Sequence, residues 1–291
     1  MPNYSMPIGK SDFEKVRTAG DYYIDKTMLI EQITASGAEV TLFTRPRRFG
    51  KSLNMSMLQH FFDIREDSKA LFDGLSIANN TELCDKWMNQ YPTILVSFKT
   101  VDATNFENAS AQLRMVLADL FRQHSYLWKN ENVSVNDLEV ITRIQAKKAD
   151  APDMMDSLSM LARLMYEHYN KPVIILIDEY DVPMAKGDAN GYYREITDIM
   201  RSMYNKALKD NPHIKLAVLT DCLKIAQESI FTGLNNIAVK TITDMDYDEC
   251  FGFTNAEMEK LLVDTELSQH QPTFKAWYDG YIFGNREVYC P

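Results

Sequence analysis

Apolar positions fall along this chain in two alternating patterns. Mainly apolar runs occur at Val40–Phe43, Tyr91–Phe98, Val173–Ile177 and Ile214–Thr220, the third of them unbroken, and between them apolar residues recur at three- and four-residue spacing. These runs predict strands. Five aliphatics in a row, Val173-Ile-Ile-Leu-Ile177, indicate a strand buried on both faces, as in a parallel sheet covered by helices. The spaced segments predict helices: a short one opened by a capping box at Ser11 and Glu14, and a second with Met28, Leu29, Ile30 and Ile33 on its apolar side, ended by Gly37. A third starts at Lys51 with Leu53, Met57, Leu58, Phe61 and Phe62 as its apolar positions. Further helices are expected around Glu82–Asn89, within Asn105–Leu127, and at Met154–Tyr169, Tyr192–Leu208 and Asn255–Val263. Residues 130–153 are polar and predict no element, with Ala151-Pro152 closing that stretch.

Strands and helices that alternate in this way predict an α/β fold: a three-layer core with a mostly parallel sheet. Beyond Thr243 the sequence turns acidic and aromatic. The expected organisation is therefore a core over 1–245 with an N-terminal helical prologue, and a small, mainly helical C-terminal subdomain over 246–291, expected to be truncated.

With 291 residues, 45% hydrophobic and 25% charged, the chain has ordinary globular proportions and enough length for a sizeable core. The net charge of -10 argues against a surface built for nucleic acid. Basic residues cluster only at Arg45, Arg47, Arg48 and Lys51, a distribution that suits a nucleotide better than a duplex. The four cysteines are far apart, without a C-x-x-C pair, and are expected to be reduced, mostly buried thiols. No apolar run approaches the roughly 18 residues of a membrane span, and the N-terminus lacks a signal pattern, so a cytoplasmic location without membrane contact is expected. Asp67-Ser-Lys69 matches half of a metal-nuclease pattern but lies in a polar connection, where chance accounts for it.

Chemistry concentrates at two strand ends. After Val40–Phe43, a loop delivers Gly50-Lys51-Ser52 to a helix start, where outward N–H groups and the helix dipole favour an anion. Lys51 adds positive charge for outer phosphates, Ser52 offers a hydroxyl to Mg²⁺, and Arg47, Arg48, Phe49, Gly50 and Leu53 complete the candidate phosphate loop. The usual G-x-x-x-x-G-K-[ST] pattern has glycine where this chain has Arg45, and Pro46 has no N–H, so fewer amides should face a phosphate. Arg47 and Arg48 can supply side-chain donors in their place or pair with surface carboxylates. The third strand ends in Asp178 and Glu179, at the edge where open α/β sheets bind ligands. Asp178 suits Mg²⁺ and Glu179 suits orienting or activating a water. Thr220 ends the fourth strand, where its hydroxyl can sense the outer phosphate or cap the next helix.

Taken together, Pro7-Ile-Gly9 with Ser11-Asp-Phe13, Tyr23-Ile-Asp-Lys-Thr27, Thr44-Arg-Pro-Arg-Arg-Phe-Gly-Lys-Ser52, Leu176-Ile-Asp-Glu-Tyr-Asp-Val-Pro183 and Glu228-Ser-Ile-Phe-Thr-Gly-Leu-Asn-Asn236 resemble the predicted AAA-ATPase-like domain of bacteria and archaea. Phe251-Gly-Phe-Thr254 and Trp277-Tyr-Asp-Gly-Tyr281 also fit its pattern. The resemblance implies a P-loop NTPase core in which the arginine-rich loop is the family's own version of the phosphate loop. Members commonly continue into a restriction-endonuclease-like domain, which the resemblance would place beyond Pro291. Where the family usually reads T-G-x-L-R, this chain has Thr220-Asp-Cys-Leu-Lys224; an acid at Asp221 and a lysine at Lys224 bear on hydrolysis more than on binding.

The reading that follows is an ATP- and Mg²⁺-binding ATPase, with Glu179, Lys51, Thr220 and Lys224 as catalytic candidates, Ser52 and Asp178 on the metal, and a protein partner or second copy supplying an arginine. Two alternatives stand beside it. One is a nucleotide-gated switch with little hydrolysis; the other is the ATPase part of a nucleic-acid-processing nuclease system.

Overall fold

The computed structural model describes residues 5–129, 133–222, 236–278 and 280–291. In chain order they form α1 (Phe13–Thr18), α2 (Met28–Ala35), β1 (Val40–Thr44), α3 (Lys51–Phe62), α4 (Lys69–Phe72), α5 (Thr81–Trp87), β2 (Thr93–Ser97), α6 (Phe106–Gln123), α7 (Val135–Gln145), α8 (Ala151–Tyr169), β3 (Val173–Asp178), α9 (Val182–Asn190), α10 (Tyr193–Leu208), β4 (Ile214–Asp221), β5 (Ile237–Lys240), β6 (Phe253–Thr254), α11 (Asn255–Asp264), α12 (Gln271–Tyr278), β7 (Tyr281–Phe283) and β8 (Arg286–Tyr289). Two compact units result: Met1–Gly37, Phe43–Gln90 and Val239–Pro291 form the first, Ala38–Leu42 and Tyr91–Ala238 the second. Composition changes near 245, whereas packing divides the chain within β1 and β5.

A five-stranded sheet, order β2-β3-β4-β1-β5, is mostly parallel with helices on both sides, the α/β layering that the apolar runs predict. β3 pairs in parallel with β2 and with β4, and its register sets Ser97 beside Asp178. Every residue of β3 is buried, as expected of a strand between two others and covered on both faces. Each such aliphatic side chain contributes about 1.5–3 kcal/mol by leaving water. α8 packs against β3 and α10, and α6 against β2. The first unit packs α1 on α3 and carries a three-stranded antiparallel sheet, order β6-β8-β7. Met258, Leu261 and Leu262 of α11 close over Tyr289 of β8. No helix among the described residues is long and apolar enough to cross a membrane.

Several local expectations are corrected. Asp12, not Ser11, caps α1: its extended backbone lets its carboxylate accept from the Lys15 N–H at 3.0 Å. Met28 is 40% exposed, off the buried stripe of Leu29, Ile30 and Ile33. The polar stretch 130–153 holds α7, whose inward side chains Ile141 and Ile144 are too few to mark a stripe. Pro152 opens α8 rather than ending a segment, because a first-turn residue needs no amide hydrogen. All four cysteines are free, but only Cys250 is buried. The strands β5 to β8, two to four residues each, are too short for a periodic signal.

Candidate functional site

In the first unit, the residues from Arg45 to Gly50 join the end of β1 to α3. Arg48 and Gly50 both have positive φ, 69° and 77°, with Phe49 between them outside that region. Two left-handed residues out of three bend the chain sharply into the start of α3. Gly50 is also the N-cap of α3 and brings no side chain to accept from the first turn. Lys51 is 6% exposed, and its ammonium donates to the carbonyls of Pro46 at 2.8 Å and Arg45 at 3.0 Å. No ion pair engages Lys51, Arg47 or Arg48 among the described residues, and both arginines are exposed. Ser52 and Leu53 are half-buried in the first turn.

One member of the basic run, Arg45, and its neighbour Phe49 turn out to have separate duties. Arg45 is fully buried and points away from the loop: it donates to Lys240 O at 2.8 Å, Thr44 O at 3.0 Å and Tyr247 O at 3.4 Å. Its guanidinium lies 5.0 Å from the Phe251 ring and 5.3 Å from the Phe283 ring. Burial pushes its pKa down to about 10, against the pull of Cys250, Asp244 and Asp248. The Phe49 ring packs on Tyr281 and Phe283, and its carbonyl accepts from Gly252 N–H at 3.3 Å, so its side chain faces the core rather than a ligand. Asn54 of α3 donates to Cys250 O at 2.9 Å, and burial pushes the Cys250 thiol up to about 12, which keeps it protonated.

In the second unit, the end of β3 gathers oxygen donors. Asp178 is 4% exposed; Thr220 Oγ1 donates to its Oδ1 at 2.6 Å and Ser97 Oγ to its Oδ2 at 3.5 Å. The Thr220 hydroxyl thus donates to the carboxylate; the helix expected after Thr220 lies outside the described residues. Glu179 follows with φ 53°, left-handed for a residue with a side chain, and its N–H points at Thr220 Oγ1 at 3.4 Å. Asp221, the acid that departs from the family's usual pattern, is fully buried next to the Tyr180 phenol; burial first and Asp221 second push that phenol far above its ordinary pKa. Lys224 and residues 228–235 of the Glu228–Asn236 motif lie outside the described residues.

The residues present fit a nucleotide and a hard cation. An ammonium resting on neutral carbonyls can transfer to phosphate without breaking an ion pair, and a carboxylate flanked by two hydroxyls offers the all-oxygen surroundings that Mg²⁺ takes. ATP would supply the phosphate anhydride and Mg²⁺ the neutralising charge.

Two supporting residues carried no signal in the strand and loop patterns. Ser97 becomes visible only through register with Asp178. Lys26, inside the Tyr23–Thr27 motif, is buried and bonds both Glu257 oxygens, at 2.6 and 2.7 Å, and Glu249 O at 2.6 Å. Its partners lie more than 200 positions downstream, beyond any local pattern.

A family model described as AAA-ATPase-like, predicted AAA-ATPase, matches residues 7–231. A protein of Azotobacter chroococcum mcd 1, described as an uncharacterized protein in the vnfD 5' region, is 27% identical over 296 residues. The similarity takes in the whole chain and 51% of that relative, so the chain spans about half its length.

Proposed function

The chain belongs to the AAA-ATPase-like family, and on that premise we propose that it binds ATP with Mg²⁺ and hydrolyses it. Membership supports an ATPase at the coarse level. The observation that carries the finer reading is the Lys51 ammonium, held at 2.8 and 3.0 Å by its own loop at the start of α3 behind a left-handed Gly50.

We assign the β- and γ-phosphates to Lys51 and the amides of residues 48–53, with Arg47 and Arg48 as exposed side-chain donors. Ser52 and Asp178 are assigned to Mg²⁺, and Glu179 to the attacking water. Thr220 holds the Asp178 carboxylate in one orientation and keeps its proposed place as a sensor of the outer phosphate. Lys224 keeps its proposed place as a charge near the outer phosphate. A burial-shielded Asp221 presents no open charge to a ligand, which favours hydrolysis over a switch that only binds. A transition-state arginine from a partner or second copy, worth about 10³–10⁵ in rate in related chemistry, completes the proposal, with the cytoplasm as its place of action.

Calorimetric titration of Mg-ATP into the 291-residue chain, followed by phosphate release on the same samples, tests this. Lys51→Ala is expected to abolish binding. Glu179→Gln is expected to bind as the parent does and lose turnover. Equal binding by the Lys51 variant would overturn the site assignment, and tight binding without phosphate release by the parent would leave the switch.

A further inference from the structure

We propose that Arg45 is the positioning residue of the phosphate loop: its buried guanidinium fixes the peptide whose carbonyl holds the Lys51 ammonium, so that the loop is set for an anion before one arrives. This rests on reading the loop as a nucleotide site.

The ordinary pattern has a glycine at this position, which leaves the peptide free to rotate. Here the opposite choice is made. The Arg45 fork reaches Lys240 O at 2.8 Å, Thr44 O at 3.0 Å and Tyr247 O at 3.4 Å, and it is closed in by the Phe251 and Phe283 rings. Among the described residues no carboxylate bonds it, and its Nε has no hydrogen-bond acceptor. A cation buried on neutral carbonyls and aromatic faces is an expensive way to fill space, because an apolar side chain would do so without the desolvation cost. What an apolar side chain lacks is a planar fork that ties several backbone carbonyls together.

The backbone consequence falls on Lys51. The Arg45 carbonyl accepts from Lys51 Nζ at 3.0 Å and the Pro46 carbonyl at 2.8 Å. The guanidinium anchors the first of these peptides from behind, and the pyrrolidine ring fixes φ of the second. The ammonium is thereby immobilised on a rigid seat. A free lysine side chain loses rotamer entropy on ordering, and here that loss precedes ligand binding. Restoring the usual glycine should accordingly weaken the site, although it makes the sequence look more like the standard motif.

The test uses the full chain with ¹⁵N-labelled lysine and reads the Lys51 ammonium signal at low temperature without nucleotide; Lys51→Met identifies the signal. Arg45→Lys keeps the charge and loses the fork, and Arg45→Gly regenerates the usual pattern. Both are expected to lose the Lys51 signal through faster exchange and to bind Mg-ATP about tenfold more weakly or worse. A folded Arg45 variant that keeps the signal, or that loses it and binds as the parent does, overturns the proposal. If neither variant melts cooperatively, Phe251→Leu decides: it removes one ring from the guanidinium and should shift signal and affinity in the same direction, and no shift in either overturns the proposal. Should the parent bind no ATP, the nucleotide reading fails on its own, while the ligand-free Lys51 signal still decides whether Arg45 positions the lysine.

Discussion

At the scale of single residues, the end of β3 combines a strained backbone with a tightly held carboxylate. Glu179 has φ 53°, in a region where a non-glycine residue costs about 1–3 kcal/mol. On the proposed reading, that cost holds the Glu179 carboxylate at the end of β3. Glu179→Gly is therefore expected to raise stability by about 1 kcal/mol, read as a higher denaturation midpoint, while phosphate release disappears. A lower midpoint would show that the side chain supports the fold instead. Thr220→Val removes the 2.6 Å bond to the buried Asp178 carboxylate and leaves that group short of a donor. A loss of about 1–3 kcal/mol is expected, with weaker Mg²⁺ dependence of ATP binding in the same titration.

At the scale of elements, the loop before α3 is braced by the segment before β6. Gly252 donates to Phe49 O at 3.3 Å and has φ 73°. A Cβ built there would meet Val288 Cγ1 at 2.4 Å and the Phe49 ring at 2.7 Å, closer than real contacts allow. Gly252→Ala thus adds backbone strain to overpacking and is expected to cost about 2–4 kcal/mol, seen as a fall in melting temperature. The capping box at Thr254 and Glu257 opens α11, and the same Glu257 receives Lys26. One carboxylate so closes a helix end and ties the prologue to the C-terminal segment within the first unit.

At the scale of the whole molecule, the pH dependence of stability follows from groups that titrate differently when folded. Burial alone would lower the His60 pKa, but its hydrogen bond to Glu66 and the nearby charges of Glu66, Glu14 and Asp12 raise it above 6.5. A raised histidine pKa means stability fully present below 6.5 and lost as pH climbs through the elevated value. The Arg143 hydrogen bonds hold Asp153 below 3.8; at Asp25, burial works the other way, but donors from Thr27 and Ser76 outweigh it. Their contribution is present above 3.8 and lost as pH falls through the lowered values. Denaturation midpoints should therefore peak between the two windows. His60→Gln should flatten the alkaline limb and leave the acid limb in place; an unchanged alkaline limb would remove His60 as its source.

The sequence by itself determined the layered α/β fold, the strand, loop and helix around Lys51, and the acids at the end of β3. Each is written in local order: a short run of mostly β-branched aliphatics such as Val173–Ile177 favours a strand covered on both faces, and Gly50-Lys51-Ser52 follows its strand within a few residues. Tertiary structure alone decided which partners the side chains meet there. Arg45 reads only as one of four clustered basic residues, standing where the usual pattern has glycine, until Lys240, Tyr247, Phe251 and Phe283 surround it. The bond from Thr220 to Asp178 is written in neither strand and exists only because parallel pairing brings the two strands side by side. Helix α7 and the short strands β5 to β8 hide because few of their residues are buried, and burial is what imprints a period on a sequence. Local pattern records which face of an element meets the core; which distant residue waits on that face is set only when the chain closes on itself.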